Sequence, residues 1–548
     1  MKIKFKFHFF IAITLVNYSS LIAQDIKATE VRVTEDFVPS IPDAYKLNEQ
    51  ATFSDTAVVD KTQDYLTKDF FLNHQYKTRP LKAAKIKPES LSKLIRSEVR
   101  LGAGHGTSAS IMHNSKRSRK LNYGISFEHY NNNNKIDNNL AGISDNHLHL
   151  YVKNINPNRI YIANLDYDRV GAFTYGKGTE EKEYDESKTK HNPFYNRFAY
   201  SKFSISSISR TFDAQKPINK LVFFFSDLNE FSENQIYLGA DLYKNINGLP
   251  VDIEISFDNN LNYHNNGVEF DKINDKNIVL SPITQFRRFG VDFKTGFDLE
   301  LAIGDGFSIR PQIKLTKELV KDILIINGGL RLTKVRNTIK SLSDENPYIH
   351  SYGTNQSIDK DGFFMQSIEE TKKKELFFAM QNVLGKDMVF NGSLGYAKIN
   401  NLAHFVNLSN DSYNRFNIEY IESVRQLHIN CNYSSRINNY MRLNFTFDYY
   451  KWDKDVYHKP DLLVNLLLPI NLRNKIKLSP SLLYRGDRKV VDNVLPAQIY
   501  ANLSLEYNYS KILSVYLELD NLFDIKKELW KDYSEVGFYS VFGIVYSF

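Results

Sequence analysis

Apolar and polar residues alternate one by one along much of the chain. In Phe289–Leu301 every second residue is apolar apart from Thr295, and the residues between them are glycine, acidic or basic. Successive side chains of a β-strand point to opposite faces, so such a segment predicts a strand with one apolar and one polar face. The same alternation occurs in residues 251–258, 307–315, 441–448 and 498–507. The pattern therefore predicts an all-β protein.

Strand length and aromatic placement separate a membrane barrel from a soluble sandwich, which also alternates. The alternating segments are about ten residues long, the length of a tilted membrane-spanning strand, whereas soluble strands usually have five or six residues. Aromatic residues gather at segment ends, as in Tyr449–Trp452 and Trp530–Tyr533, which is typical of an aromatic girdle at a membrane boundary. These features favour a transmembrane antiparallel up-and-down β-barrel, which closes so that no backbone edge faces lipid.

Connections between the segments alternate between short and long, as expected for periplasmic turns and extracellular loops. The long ones are Asn131–Ile143, Arg169–Asn196, Asn265–Lys276, Arg336–Gly362 and Asn400–Tyr413. Counting back from Phe548 predicts 22 strands over residues 92–548, within a range of 16 to 22. Their predicted centres are residues 99, 110, 125, 150, 163, 203, 224, 240, 256, 280, 295, 311, 328, 379, 394, 430, 446, 464, 480, 503, 516 and 542.

Residues 1–23 are typical of a secretory signal peptide. Three lysines precede the apolar run Phe9–Val16, and Leu21–Ala23 forms a cleavage site. The run is too short to span a bilayer, and no later segment approaches the roughly 20 apolar residues that a transmembrane helix needs. We therefore expect an exported chain that is located in the outer membrane.

Residues 24–91 are predicted to form a mostly irregular periplasmic segment. Residues 24–74 contain 10 acidic and 5 basic residues, whereas residues 75–90 contain five basic residues and only Glu89 as an acid. The segment is either a solvated linker whose basic edge lies near anionic headgroups, or an acidic arm that threads the lumen or docks on a partner.

Composition narrows the classes of function. The 548 residues include 34 Tyr and 38 Phe but a single Cys, which excludes a disulfide framework and a cysteine-based metal cluster. A net charge of +7 is small for this length and gives no case for binding nucleic acid.

No motif predicts catalysis, a cofactor or a metal. Gly102–Gly106 has glycines spaced as in a dinucleotide loop, but no crossover helix follows, so we expect a turn between strands. His147 and His149 share a strand face without a third ligand and are expected to line the lumen. Asp359–Gly362 lacks the distal glutamate of a calcium loop and is expected to be a turn. The protein is predicted not to be an enzyme.

Charged residues at the polar positions of the alternating segments form a candidate lumen lining. Acids lie on two strands that we expect to be adjacent, and basic residues follow on the next strand. They are Asp252, Glu254, Asp258, Asp292, Asp298, Glu300, Arg310 and Lys314. Such residues either form ladders that stiffen the wall or create a transverse field that sorts permeating solutes, and the sequence leaves both open.

The chain ends in an alternating strand with a terminal aromatic residue. Phe542, Ile544, Tyr546 and Phe548 share one parity. This ending resembles the C-terminal signature of outer-membrane proteins that are handed to the barrel-assembly machinery. The resemblance implies that these four residues form a barrel-assembly signal, with that machinery and outer-membrane lipid as partners.

Upstream, Leu519–Asp524 followed by Trp530, Tyr533 and Gly537 resembles the end of TonB-dependent-receptor barrels. Further segments resemble plug-poor, receptor-like barrels of Bacteroidota outer membranes, namely Val38–Lys46, Asn401–Asn407 and Arg415–Tyr420. The family carries a folded plug before its barrel. The 68 residues from Gln24 to Leu91 lack the apolar strand repeats of a plug, so no complete plug is expected.

Two functions stay open at this point. One is a transporter or gated channel for an unknown solute, favoured by the likeness of Thr29–Thr34 to a TonB-contacting box. The other is a non-transporting scaffold subunit that binds other outer-membrane or periplasmic proteins, favoured by the missing plug. Because a barrel of about 22 strands encloses a wide lumen, we expect inward-folded loops, residues 24–91 or a partner to occlude it.

Overall fold

The computed structural model describes residues 95–116, 118–132, 134–136, 139–176, 194–210, 218–229, 233–262, 273–304, 306–349, 368–385, 387–407 and 415–548. The predictions for the leader, for residues 24–91 and for Asp359–Gly362 lie outside this part of the chain. Within it, no helix combines the length and the apolar character needed to cross a membrane.

One antiparallel sheet of 23 hydrogen-bonded segments closes into a barrel, and two of these segments are halves of one strand that is interrupted at Leu468–Pro469. The 22 barrel strands are β1 (Ser97–Gly104), β2 (Gly106–Asn114), β3 (Leu121–Asn132), β4 (Ile143–Ile155), β5 (Arg159–Phe173), β6 (Tyr195–Ser209), β7 (Ile218–Leu228), β8 (Glu233–Ile246), β9 (Leu249–Asn262), β10 (Ile273–Arg288), β11 (Val291–Ile303), β12 (Gly306–Val320), β13 (Leu324–Arg336), β14 (Glu370–Gly385), β15 (Met388–Asn400), β16 (Val424–Asn438), β17 (Met441–Trp452), β18 (Leu462–Leu467 and Ile470–Leu472), β19 (Ile476–Arg485), β20 (Gln498–Asn508), β21 (Leu513–Asp520) and β22 (Tyr539–Ser547).

The first and last strands close the barrel. β1 pairs with β22 from Glu98 opposite Ser547 to Gly104 opposite Val541. The Phe548 backbone N–H donates to the Ser97 carbonyl at 2.8 Å, and the Ser97 N–H donates back at 3.0 Å. Because the number of strands is even, the chain enters and leaves the barrel at the same end.

The two ends of the barrel differ in their connections. At the short-turn end, strands are joined by tight turns such as Asn247–Gly248, where both residues have positive φ (53° and 84°) as a two-residue hairpin turn requires. At the long-loop end, four hairpins and one helix extend beyond the sheet. They are Lys135–Ile136 with Asn139–Leu140, Leu402–Asn407 with Phe416–Ile421, Arg488–Val490 with Asn493–Leu495, Glu528–Trp530 with Tyr533–Ser534, and helix α1 (Ile339–Glu345).

The predicted fold class is confirmed, because the structure is a closed antiparallel barrel of 22 strands and each predicted centre falls within one of them. The alternation explains the agreement. In β22 the side chains of Phe542, Ile544 and Tyr546 are exposed, whereas those of Val541 and Val545, which point to the other face, are buried. A strand spacing near 4.8 Å and a tilt near 40° give this barrel a diameter of about 40 Å.

Candidate functional site: the loop cap

Three tyrosines from distant parts of the chain meet at the long-loop end. The Tyr348 and Tyr533 rings stack with centroids 4.0 Å apart, and the Tyr175 ring packs edge-on against Tyr533 at 4.9 Å. Tyr175 follows β5, Tyr348 follows β13 and Tyr533 precedes β22 in the connection from β21. Around the ring of 22 strands, β13 is eight positions from β5, β21 is eight positions from β13, and β5 is six positions from β21. Loops rooted at such points meet only across the mouth, so they bridge it near the barrel axis.

We call the segments that meet there the loop cap. It comprises residues 174–176, 337–349, 402–407, 415–421, 453–461, 486–497 and 521–538. Its apolar interior is the largest cluster of buried hydrophobic side chains in the described part of the chain, and it includes Ile339, Leu342, Tyr348, Phe405, Phe416 and Tyr533. Burial of this much apolar surface stabilises the contact between loops.

Helix α1 leads the connection after β13 across part of the mouth. Thr338 caps the helix by accepting a hydrogen bond from the Ser341 N–H, and the Ser341 hydroxyl accepts one from the Thr338 N–H. The buried Glu233 carboxylate at the start of β8 accepts the Ile339 N–H at 2.7 Å. A carboxylate at a helix N-terminus is favoured by the unpaired N–H groups there. The chain that leaves β13 is therefore fixed five strands away.

The hairpin Leu402–Asn407 with Phe416–Ile421 packs on the same centre. The Phe416 N–H donates to the Tyr348 carbonyl at 3.0 Å. The Trp530 ring lies edge-on to Phe405 and Phe416, with centroids 5.4 and 5.7 Å away. Edge-to-face aromatic pairs add to the stabilisation from burial. The contacts join the connections after β13, β15 and β21 into one unit.

His458 links two of these connections as a neutral imidazole. Its Nδ1 lies 3.0 Å from the Phe405 carbonyl, to which it donates, and its Nε2 accepts from the Lys531 N–H at 3.4 Å. Burial, followed by the nearby charges of Arg488 and Lys531, lowers the pKa of His458 to about 3. Burial and the charge of Lys459 lower the pKa of His404 to about 4. Both rings are therefore uncharged at neutral pH.

Arg488 anchors the last hairpin of the cap. Its guanidinium is almost fully buried and donates to the carbonyls of Leu529 and of Glu528, the latter at 2.9 Å. Gln498 donates to the same Glu528 carbonyl at 2.8 Å. Burial lowers the pKa of Arg488 to about 10, so the side chain remains charged at neutral pH. An arginine fits this position because its planar fork serves two acceptors at once.

Buried tyrosine hydroxyls stay protonated in the cap. Burial raises the pKa of Tyr348 to about 12 and likewise that of Tyr420 to about 12. The Tyr175 hydroxyl donates to the Ser534 carbonyl at 2.7 Å. The cap interior therefore holds hydroxyl donors and no phenolate charge.

A cavity of about 350 Å³ lies beneath the cap. Tyr175, Tyr348, Trp530 and Tyr533 contribute from the cap, while Asn132, Tyr500, Asp520 and Tyr539 contribute from the wall. The Arg485 guanidinium and the Glu535 carboxylate, 3.4 Å apart, also line it. This volume is at the lower end of the range for small-molecule sites.

The predicted lumen residues Asp298, Glu300 and Arg310 come together on the inner wall. The Arg310 guanidinium contacts the Glu300 carboxylate and lies 3.6 Å from that of Asp298. The Lys334 Nζ reaches Glu300 at 2.5 Å and also contacts Glu370. Glu300 is only 2% exposed, so its charge depends on these cations.

Arg336 ends β13 and binds carboxylates on strands far from its own. Its guanidinium lies 3.0 Å from the predicted lumen residue Asp258 on β9 and 2.9 Å from Asp275 on β10. Asp258 lies four strands from β13, a distance of roughly 19 Å along an intact wall, beyond the reach of these two side chains. The end of β13 therefore leans inward over β12, β11 and β10. We call Leu332–Arg336 with its partner Glu370–Lys374 the inner arm.

The remaining predicted lumen residues are dispersed. Asp252 and Glu254 line a second cavity of about 260 Å³, together with Asp241. Asp292 lies 3.7 Å from Arg287 near the short-turn end, and Lys314 is opposite Lys294 in the register of β11 and β12.

The expectation that the two acidic sets occupy adjacent strands is wrong. β10 (Ile273–Arg288) pairs with β9 on one side and with β11 on the other. Asp252, Glu254 and Asp258 are therefore separated from Asp292, Asp298 and Glu300 by one full strand.

Lys334, Arg336 and Glu370 are not among the lumen residues predicted from the sequence. A signal is present in the sequence, because Lys334 and Arg336 interrupt the run of alternate apolar residues that includes Leu330 and Leu332. The predicted assembly-signal residues Phe542, Ile544, Tyr546 and Phe548 are all exposed at the closing strand.

His147 and His149, the two histidines that share a strand face, each pair with an aspartate. His147 Nδ1 lies 2.7 Å from Asp168, and His149 Nδ1 lies 2.5 Å from Asp166, both across β4 and β5. The described residues contain no group of three or more potential ligands arranged to hold a metal ion. His105, within the glycine-rich stretch, lies in the turn between β1 and β2.

Comparison of the sequence with protein-family models and with curated proteins finds no match. Three similar solved structures are a ferric enterobactin receptor, a siderophore receptor and a ferric-catecholate import receptor. The ferric enterobactin receptor PfeA of Pseudomonas aeruginosa, in complex with BCV-L6, has a TM-score of 0.60 at 11% identity over 82% of this chain and 81% of that one. The siderophore receptor PirA of Acinetobacter baumannii has a TM-score of 0.58 at 10% identity, covering 82% and 80%.

The ferric-catecholate import receptor Fiu of E. coli K12 has a TM-score of 0.58 at 9% identity, covering 83% of this chain and 81% of that one. At these identities the likeness concerns the fold. What this chain shares with the three receptors is a large antiparallel β-barrel.

Proposed function

We propose that this protein is an outer-membrane transporter or gated channel related in architecture to TonB-dependent receptors. In this proposal residues 1–23 direct export and are removed, the barrel-assembly machinery inserts residues 92–548 into the outer membrane, and the loop cap faces the cell exterior. The solute is not assigned.

The observation that carries the proposal is a wide closed barrel whose mouth is bridged by its own loops. A barrel of about 40 Å diameter would leak solutes if it were open. The contact of Tyr175, Tyr348 and Tyr533 across the mouth obstructs that path. A transporter or gated channel needs both features, a lumen and a closure that can be released. The fold of the receptor structures supports the same function.

Two measurements test the proposal. Purified protein in planar bilayers is expected to show almost no conductance, and the double variant Tyr348→Ala/Tyr533→Ala is expected to conduct, since it removes the stacked pair at the centre of the cap. A deletion strain is expected to lose growth on one defined nutrient and to regain it with the intact chain.

Deleting Thr29–Thr34 then tests whether uptake is energised, because a TonB contact would be lost while the barrel remains.

Two outcomes would contradict the proposal. One is a large steady conductance of the unaltered protein, which would mean that the cap does not close the lumen. The other is a deletion strain with normal growth on every nutrient together with stoichiometric partners in affinity purification, which would indicate a scaffold.

A further inference from the structure

The wall of the barrel contains a seam between β12 and β13. The two strands are paired from Val320 opposite Leu324 to Gln312 opposite Arg331, and their pairing ends there. Beyond this point Gly306–Pro311 stays paired with β11, and Leu332–Arg336 stays paired with β14. Among the residues that the structure describes, no backbone hydrogen bond joins these two facing edges. We call the two unpaired edges the seam.

Two features of the sequence explain why the strands separate here. Pro311 is the first residue of β12 beyond the last pair, and proline has no N–H to donate to a neighbouring strand. On the other edge, Lys334 and Arg336 turn inward to reach Glu300, Asp258 and Asp275. The ion pairs of the inner arm therefore hold β13 away from β12.

The seam lies at the height of the apolar outer surface. Phe307 and Ile309 on its edge are 63% and 58% exposed. They are opposite Leu301 and Leu299 on the intact neighbouring strand β11, and Leu301 is also exposed. In a bilayer the apolar band that covers these residues would meet the seam. Unpaired backbone groups are strongly unfavourable in hydrocarbon, so a polar group must reach the seam.

The two sides of the seam differ in polarity. Its outer side carries Phe307 and Ile309, both exposed and apolar, and the exposed Leu330 lies next to it in the paired region. Its inner side carries Arg310 and Lys334 beside Asp298 and Glu300, with both signs of charge in contact. The arrangement matches a molecule that has an apolar chain on the bilayer side and a group with both charges on the lumen side.

We propose that the seam is a lateral port for a zwitterionic phospholipid-like amphiphile. The headgroup enters between β12 and β13 and reaches Arg310 and Glu300, while the acyl chain remains in the bilayer beside Phe307 and Ile309. The headgroup and its water supply hydrogen bonds to the unpaired backbone. The inference rests on the proposed function only in placing the barrel in a bilayer, and it deepens that function by assigning a class of solute.

The test uses the full-length protein in nanodiscs that contain phosphatidylcholine with a photoactivatable diazirine on its headgroup. Headgroups normally stay at the bilayer surface, so labelling of inward-facing residues at the seam reports entry. We expect peptides with Arg310 and Lys334 to be labelled severalfold more than peptides with Lys294, an inward-facing residue of the intact wall. Equal labelling of these peptides in an inserted barrel would overturn the port and leave the proposed function standing.

A disulfide lock provides the matched control. In a Cys431→Ser background, Ser308→Cys/Val335→Cys places cysteines opposite each other if the register of β12 and β13 continued across the seam, so oxidation is expected to close it and abolish the labelling. Lys317→Cys/Ile326→Cys joins residues that are already opposite in the paired region and should leave the labelling unchanged. Persistent labelling after complete Ser308–Val335 crosslinking would contradict the port.

Two other results have distinct meanings. A protein segment crosslinked along Gly306–Pro311 would replace the lipid proposal with strand addition by a partner. Failure of the chain to insert into nanodiscs as a heat-modifiable barrel would refute the proposed function itself.

Discussion

Arg336 and Asp258 belong to barrel strands four positions apart, yet their charged groups lie 3.0 Å from each other. This contact requires the end of β13 to leave the cylinder and cross the inner face of three strands. The ion pairs are mostly shielded from water, with 11% of the Arg336 side chain and 24% of the Asp258 side chain exposed. Arg336 therefore links the wall to the connection that crosses the mouth.

Replacing Arg336 with methionine is expected to release the inner arm. The substitution leaves Asp258 and Asp275 without their cation, and breaking a buried pair on one side costs about 3–5 kcal/mol. We expect higher conductance in planar bilayers and faster proteolysis of residues 337–349 while the barrel stays heat-modifiable. Arg287→Met is the control, because Arg287 is well exposed near the short-turn end and lies 3.7 Å from Asp292. Equal behaviour of the two variants would show that the arm is held by other contacts.

Tyr348→Ala is expected to loosen the loop cap without unfolding the barrel. Truncating a buried aromatic side chain costs about 3–5 kcal/mol, and here the loss falls on contacts between loops. Limited proteolysis should cut the cap of the variant much faster than that of the unaltered protein, with the same heat-modifiable migration on gels. Tyr509→Ala removes an exposed tyrosine from the turn between β20 and β21 and should change neither measurement. Loss of the folded barrel in Tyr348→Ala would mean that the cap is needed for assembly.

The cap is expected to loosen in acid through His458. Its pKa is about 3 in the folded cap and near 6.5 when exposed, so protonation favours the open state. The stabilisation of the closed cap by neutral His458 is complete above pH 6.5. It falls by about 1.4 kcal/mol per pH unit as the pH decreases toward 3. Protease sensitivity of the cap should therefore rise between pH 6 and pH 4.

His458→Gln should flatten this pH dependence, since glutamine cannot be protonated in this range. His404, with a pKa of about 4, contributes in the same direction, so the double variant with His404→Gln should be flatter still. His105→Gln, outside the cap, serves as the control. A pH profile unchanged in the double variant would assign the acid response to carboxylates.

Phe548→Ala is expected to impair assembly more than stability. Phe548 is 58% exposed and its backbone, which the substitution retains, makes the hydrogen bonds that close the barrel. If the terminal aromatic is an assembly signal, the amount of heat-modifiable protein in the outer membrane should fall, while the molecules that fold should melt like the unaltered protein. Phe289→Ala changes a still more exposed aromatic residue, in the turn between β10 and β11, and should have no such effect.

The barrel could be predicted from sequence because a strand's side-chain period is a local property. Phe289–Leu301 alternates by itself, whatever its neighbours are, and the same holds for the other spanning segments. The loop cap could not be predicted in this way. Tyr175 and Tyr533 are far apart in sequence, and nothing local to either indicates that their rings pack 4.9 Å apart.

The inner arm could be predicted from the sequence only in part. Lys334 and Arg336 interrupt the apolar parity of β13, which is visible in the sequence, but their partners depend on how far the strand leans inward. Likewise the acidic residues of β9 and β11 occupy the polar positions of their alternating segments, which is visible in the sequence, while the strand between them separates the two sets. Parity is a property of one strand, whereas contacts depend on the register of several.

The pairing of β1 with β22 has a consequence for biogenesis. The first barrel strand is hydrogen-bonded to the last one, so the cylinder stays an open sheet with two exposed edges until β22 has been synthesised. A chain shortened by even one strand at its C-terminus would keep those edges, and such nascent or truncated forms depend on chaperones to avoid aggregation.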